Sequence, residues 1–366
     1  MRSAALLIAL GLSACSTLQL GEPLGAVDTE APLLPLERAW EQDVQAGFGA
    51  GAAYVTNRYV VVGTRQGEVV VLDLENGSVE GVGEFGASLE GPLAVSPGGE
   101  TIYLARAEER GGVVAYDVAE GLERWAWEGG PVDAGVLVQG DVVVVPTLAG
   151  ALVGLGAATG EERWRVPMRS GAQFHAPPVP VSATDILVGD DRGRVHRVRS
   201  ASGEVVWNAT VGAPIYHAPA ADDQTVYVPT TRGTLTALDL ATGALRWTHE
   251  TGQVDRVSTP AIGAGVVAVG TTGDGVRALD AGTGDLRWTH RTDGSVSGAP
   301  LWLGGSLVVG TLDQRVLVLD GATGAQQWSD AVRGRVKSAV GAGGGLVIVL
   351  TEPRHVVAYR SARPAS

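Results

Sequence analysis

The sequence predicts an all-β fold: an eight-bladed β-propeller of four antiparallel strands per blade, closed by an N-terminal strand that completes the last blade. Three observations carry this reading. Tryptophans recur at Trp125, Trp164, Trp207, Trp247, Trp288 and Trp328, spaced 39 to 43 residues apart. The text before them repeats: Ala237-Leu238-Asp239-Leu240-Ala241-Thr242-Gly243-Ala244-Leu245-Arg246-Trp247 is followed by Ala278-Leu279-Asp280-Ala281-Gly282-Thr283-Gly284-Asp285-Leu286-Arg287-Trp288. The chain ends are complementary fragments of the same unit. A step back from Trp125 reaches Gly81 and then Trp40, and a step forward from Trp328 reaches Val357-Ala358-Tyr359-Arg360, where the chain stops before a tryptophan is due. Residues 37–360 thus hold eight units of about 40 residues, the period of a blade with four short strands. Glycine, 53 of 366 residues, is about twice as common as usual. With no three-residue period it marks tight turns rather than a collagen.

Residues 1–14 read as a lipoprotein signal peptide. Met1-Arg2 gives a positive start, and Ala4 to Leu12 is a nine-residue apolar run, too short to cross a hydrocarbon core of about 30 Å. The run ends in Leu12-Ser13-Ala14-Cys15, with the only cysteine of the chain. It resembles the lipobox of bacterial lipoproteins, which implies that Cys15 is lipidated and becomes the mature N-terminus. By the same resemblance, Ser16 in place of Asp implies outer-membrane sorting. Residues 15–36, with Gly21, Pro23, Gly25, Pro32 and Pro35, read as the lipid anchor and a flexible tether. Residues 37–366 are the propeller.

The sixth unit shows how each blade parses. Thr259 to Ile262 enters the innermost strand, Val266 to Thr271 is the second, Val276 to Asp280 the third and Leu286 to His290 the outermost. The third-to-fourth turn carries glycine seven times, at Gly77, Gly121, Gly160, Gly203, Gly243, Gly284 and Gly324. Such insistence predicts positive φ. Asp73, Asp117, Asp239, Asp280 and Asp320 stand four residues earlier, placed to accept hydrogen bonds from the turn's N–H groups. Their regular recurrence at a turn makes them structural rather than metal ligands. The tryptophans Trp40, Trp125, Trp164, Trp207, Trp247, Trp288 and Trp328 read as packing groups that dock neighbouring blades.

Composition removes several functions. A net charge of −13 argues against a sequence-independent grip on nucleic acid. One cysteine excludes an internal disulfide and a cysteine-based zinc site. Arg192, Arg194, His196, Arg197 and Arg199 form a basic stretch, mostly alternating; a solvated sheet face and a cationic surface for an anionic partner are both compatible with it.

The A-x-D-x-x-T-G-x-x-x-W repeat resembles the PQQ-type propeller repeat over about residues 37–360. Two groups share that repeat: the quinoprotein dehydrogenases and the BamB-like lipoproteins of outer-membrane β-barrel assembly. The first implies adjacent cysteines over the quinone and a calcium site of acidic and amide ligands. Cys15 belongs to the lipobox, and no such ligand set stands outside turn positions, so no cofactor, metal or catalysis is expected. A lipobox, a short Pro/Gly segment and eight minimal blades are similar to the BamB-like layout from end to end. Val188-Gly189-Asp190-Asp191-Arg192-Gly193-Arg194-Val195 also resembles a segment of that group. The resemblance implies a non-catalytic scaffold at the outer membrane, facing the periplasm, whose protein partner is the barrel-inserting subunit. A ligand-binding or quinoprotein-like propeller, and an envelope adaptor with another partner, are the alternatives.

The lead-in loops before each innermost strand share one face with the second-to-third strand turns, so they ring the channel mouth. They vary while the framework repeats, which is where a binding site is built. The candidate partner-binding residues are Arg169, Gln173, Phe174, His175, Tyr216, His217 and Arg256. Phe174-His175 and Tyr216-His217 are taken as equivalent positions on adjacent blades, an aromatic pair suited to a hot spot, or else to packing beneath the loop. Two histidines without a third ligand do not make a metal site.

Overall fold

The second and third strands of a blade carry the apolar runs and the outermost strand alternates, because the two middle strands lie between two neighbouring sheets. In blade three, Val142–Pro146 and Ala151–Gly156 are buried at every residue, whereas the outer Glu162–Pro167 alternates between exposed and half-buried. The computed structural model describes residues 18–86, 88–168, 171–251, 256–273 and 275–362. The signal peptide, Cys15 and Arg169 lie outside the described residues. The structure is all-β, with eight sheets of four antiparallel strands, the eight-bladed propeller the repeat predicts. Blades one to seven each use four consecutive strands. Blade eight joins Gly341–Gly343, Leu346–Thr351 and His355–Ser361 to Leu36–Asp43, with Glu37 paired to Arg360 and Glu41 to Val357.

The core sits between blades rather than within one. One cluster combines Val60, Val62 and Leu72 of blade one with Ile348, Leu350 and Val356 of blade eight. Another combines Tyr103 and Val113 of blade two with Val143 and Val153 of blade three. Six of the eight seams are locked at the rim by the repeat motif. The turn glycines have φ of 71–77°, and the docked tryptophan occupies the space a side chain would need: a Cβ on Gly284 would lie 2.6 Å from the Trp247 ring. The indole N–H donates to the carbonyl one residue past the turn's start in the next blade. Six seams share this bond, from Trp40 to Leu74, Trp125 to Ala157, Trp164 to Ser200, Trp207 to Leu240, Trp247 to Ala281 and Trp288 to Gly321, at 2.9–3.1 Å. Trp328 instead packs edge-on to Tyr359, with ring centroids 5.4 Å apart, where the last blade has no such turn.

The turn aspartates accept backbone N–H bonds as expected, Asp280 from Gly282 and Thr283 at 2.9 Å. Asp117, Asp239, Asp280 and Asp320 have a second partner. A β-bulge between third and fourth strands leaves one residue before the tryptophan unpaired, and its side chain returns to the turn. Arg246 reaches Asp239 at 2.7 Å and Arg287 reaches Asp280 at 2.6 Å. These guanidinium bonds, ahead of the turn hydrogen bonds, hold both carboxyls down at about 2.

The described part of the expected tether is not loose. Leu18 is 1% exposed and Leu24 fully buried, inside the cluster shared by blades one and two. The segment then crosses the face away from the lead-in loops, bridging Val27 to Thr56 of blade one and accepting Gly345 N–H of blade eight at Glu30 O, 2.8 Å. Its leucines explain the correction: apolar side chains among the glycines and prolines have a seam to fill.

Candidate functional site

The lead-in loops of all eight blades converge on a cavity of about 700 Å³ at one mouth of the channel, together with Arg65 and Thr272 from second-to-third strand turns. Each loop follows one rule. An apolar residue is buried beneath it: Phe48, Leu89, Val132, Phe174, Ile215, Val257, Val296 and Val336 are all 0–2% exposed. The next residue is Gly49, Glu90, Asp133, His175, Tyr216, Ser258, Ser297 or Lys337, and except for Tyr216 these line the cavity. Buried positions are fixed by packing and the ones after them are free to differ.

This rule corrects the register read from the sequence. Phe174 corresponds to Ile215, not to Tyr216, and His175 corresponds to Tyr216. Phe174 is fully buried with Ile186 and Val188, its ring 6.4 Å from that of His196, so it offers no surface to a partner. Tyr216 is 40% exposed at the rim, its ring 4.7 Å from that of His175. The loop prolines misled the alignment because they fall at different distances from the buried residue.

The site brings together His175, Tyr216, His217 and Arg256. His175 Nδ1 is 2.9 Å from Asp133 Oδ2 of the preceding loop. That hydrogen bond raises the imidazole above its usual value, against the opposing effect of burial. His217 is shifted the other way, first by burial and then by the Arg256 charge. One imidazole of the mouth thus favours the cation and its neighbour the neutral form. Arg256 is exposed, and its backbone N–H is held by Thr272 Oγ1 at 3.2 Å. Gln173 is exposed beside the mouth, its N–H bonded to Asp191 Oδ1 at 2.9 Å.

Two contributors escaped the sequence reading. Asp133 orients His175 from 42 residues away. Glu352 gathers Lys337 at 2.6 Å, Arg65 at 2.8 Å and Arg335 at 3.9 Å. Counting back from each innermost strand to the buried apolar residue would have found Asp133; nothing local marks Glu352. The basic stretch of blade four is neutralised: Arg194 and His196 each lie 3.1 Å from Asp190, Arg197 reaches Asp185 at 2.7 Å and Arg199 reaches Glu204 at 3.1 Å. Its alternation serves ion pairs rather than a cationic surface. Among the described residues no group of three or more His, Cys, Asp or Glu is arranged to hold a metal ion.

The sequence profile of the family described as outer membrane protein assembly factor BamB matches residues 37–172, 150–261 and 254–363. The chain belongs to that family. The BamB of Yersinia pestis is 27% identical over 281 residues, covering 67% of this chain and 69% of the relative. That of Moranella endobia (strain PCIT) is 26% identical over 247 residues, covering 59% of this chain and 63% of the relative. The crystal structure of BamB from Moraxella catarrhalis superimposes with a TM-score of 0.76 at 21% identity, covering 89% of this chain and all of that one. The quinohemoprotein alcohol dehydrogenase of Comamonas testosteroni shares the fold with a TM-score of 0.72 at 13% identity, covering 98% of this chain and 83% of that one. At such identity the likeness concerns the fold alone.

Proposed function

We propose that the chain is a non-catalytic scaffold of outer-membrane β-barrel assembly, anchored through lipidated Cys15, facing the periplasm, and binding the barrel-inserting subunit at the channel mouth. The observation that carries the binding site is the ring of loop positions, different on almost every blade, held on a frame that repeats. Tyr216 is its exposed aromatic, packed against His175, and Arg256 is exposed at the same mouth, close enough to His217 for its charge to be felt there. Aromatic and arginine side chains are the usual anchors of protein interfaces. The N-terminal arm lies on the opposite face, so a membrane anchor leaves the mouth accessible.

The test is in-cell photo-crosslinking from Tyr216 and from Arg256, with exposed Val27 on the far face as the control. The proposal expects the barrel-inserting subunit from the first two positions and not from the third. Another envelope protein captured at the mouth would replace the assembly role with that of an adaptor. No captured protein would refute the interface, and quinone binding to the cavity becomes the next assay.

A further inference from the structure

Seven of the eight seams are locked by a tryptophan, and the seam between blades one and two is not. Gly81 stands there, opposite Val71, in the register that pairs Ala237 with Trp247. The place of the missing ring is filled from elsewhere in the chain. A Cβ on Gly81 would lie 2.6 Å from Leu18 Cδ1, and one on Gly83 would lie 2.6 Å from Leu18 Cβ. Gln19 covers the turn glycine of blade two, its Cβ 2.8 Å from the position a Cβ on Gly121 would take. Six other seams put an indole ring over that glycine.

The hydrogen bonding is replaced as well. Val118 follows Asp117 as Ala281 follows Asp280, so its carbonyl is the acceptor that takes an indole N–H elsewhere. Here the backbone N–H of Leu20 donates to it at 2.8 Å. Gly21 N–H donates to Ala119 O at 3.1 Å, Leu24 N–H to Gly99 O at 2.9 Å, and Tyr116 Oη–H to Leu18 O at 2.9 Å.

We propose that residues 18–24 are the chain's own ligand for this seam, a peptide strap that replaces the docking tryptophan blade one lacks and fixes the N-terminal arm to the rim of the ring. The strap supplies both parts of the lock, an apolar group against the blade and a donor to the same carbonyl. A flexible linker that happened to touch the ring would reproduce neither. Two residues, Ser16 and Thr17, separate Leu18 from Cys15, about 10 Å of extended chain at most. On the reading of Cys15 proposed above, the lipid therefore starts at this seam and the ring cannot swing freely beneath it. The strap itself does not depend on what Cys15 carries.

Three variants of the full chain test this: Leu18→Asp, Gly81→Trp and the pair together. The readouts are the thermal midpoint and the rate at which thermolysin, which cuts before leucine, cleaves the Gln19–Leu20 bond of the strap, followed by mass spectrometry. Leu18→Asp is expected to lower the midpoint by about 3 °C or more and to speed the Gln19–Leu20 cut about tenfold or more. Gly81→Trp alone is expected to speed the cut, because the indole displaces Leu18. The pair is expected to regain most of the lost midpoint while the cut stays fast. The proposal is overturned if Leu18→Asp moves neither readout, or if the pair is no more stable than Leu18→Asp. Should Leu18→Asp fail to fold, Leu18→Ala takes its place with the same expectations.

Discussion

Substituting Gly284 by alanine separates backbone strain from blade docking. At φ +77° an alanine pays the left-handed penalty of about 1–2 kcal/mol, offset by about 0.5 kcal/mol because alanine restricts the unfolded chain. Its methyl would lie 2.6 Å from Trp247 Cδ2 and Cε3, more than 0.5 Å inside normal contact. The ring must lift and lose part of its burial and its 3.1 Å bond to Ala281 O. Complete loss of a buried tryptophan costs about 3–5 kcal/mol, so a partial lift brings the total to about 3 kcal/mol. Gly140 is the control: φ is +62° and a Cβ there would meet nothing within 4 Å, leaving a strain cost of about 1 kcal/mol. Urea titration of the two variants, and of each in a Trp247→Ala background, measures the difference. In that background Gly284→Ala is expected to cost no more than Gly140→Ala. Equal costs in the wild-type background, or an undiminished cost without the tryptophan, would refute docking as the reason for the glycine.

Two further outcomes rest on charge. NMR titration is expected to place the His175 imidazole above the ordinary histidine value of about 6.5 and to bring it down in Asp133→Asn. Because the folded value is raised, the pair's contribution to stability is full below about pH 6.5 and is lost as pH rises through the folded value. Asp190 is fully buried. Burial pushes its carboxyl up, but the His196 hydrogen bond and the Arg194 backbone N–H outweigh that and hold it below the usual range. Its contribution is present above about pH 4 and is lost as pH falls through the depressed value. Asp190→Asn leaves Arg194 and His196 without their carboxylate and is expected to cost about 3 kcal/mol in urea unfolding. A smaller loss is expected from Asp190→Thr combined with His196→Thr, because blade five has Thr230 and Thr236 at these positions, with Thr230 bonded to Thr234 across the turn.

The ring, its closure and its turns were legible because they recur. Seven glycines at one place announce a backbone angle, and Trp40 and Arg360 announce a shared blade before any contact is known. The strap was illegible for the converse reason. Gly81 was visible as a gap in the tryptophan series, but no local pattern in Leu18-Gln19-Leu20 says that it fills a gap more than sixty residues away. Pro23 and Gly25 pointed to a linker, and two buried leucines overrode them. At the channel mouth the variable positions were recognised, yet proline was the wrong landmark. The buried apolar residue sets the register, and burial is a tertiary fact. The arginines of blade four read as a cationic face because their carboxylates, Asp185 and Asp190 among them, come from other strands or turns.

The outermost strand of blade eight sets the order in which this molecule can be finished. Leu36–Asp43 is made before seven whole blades and its partner His355–Ser361 after them, so Glu37 waits for Arg360 across 323 residues. During that interval a valine- and leucine-rich sheet stands open at one end, and the strand that will cover it is itself an unpaired edge. A chain stopped before His355 would carry two complementary edges with no way to join them in one ring, and another copy could satisfy both. For this protein, making His355–Ser361 and covering both open edges are the same event.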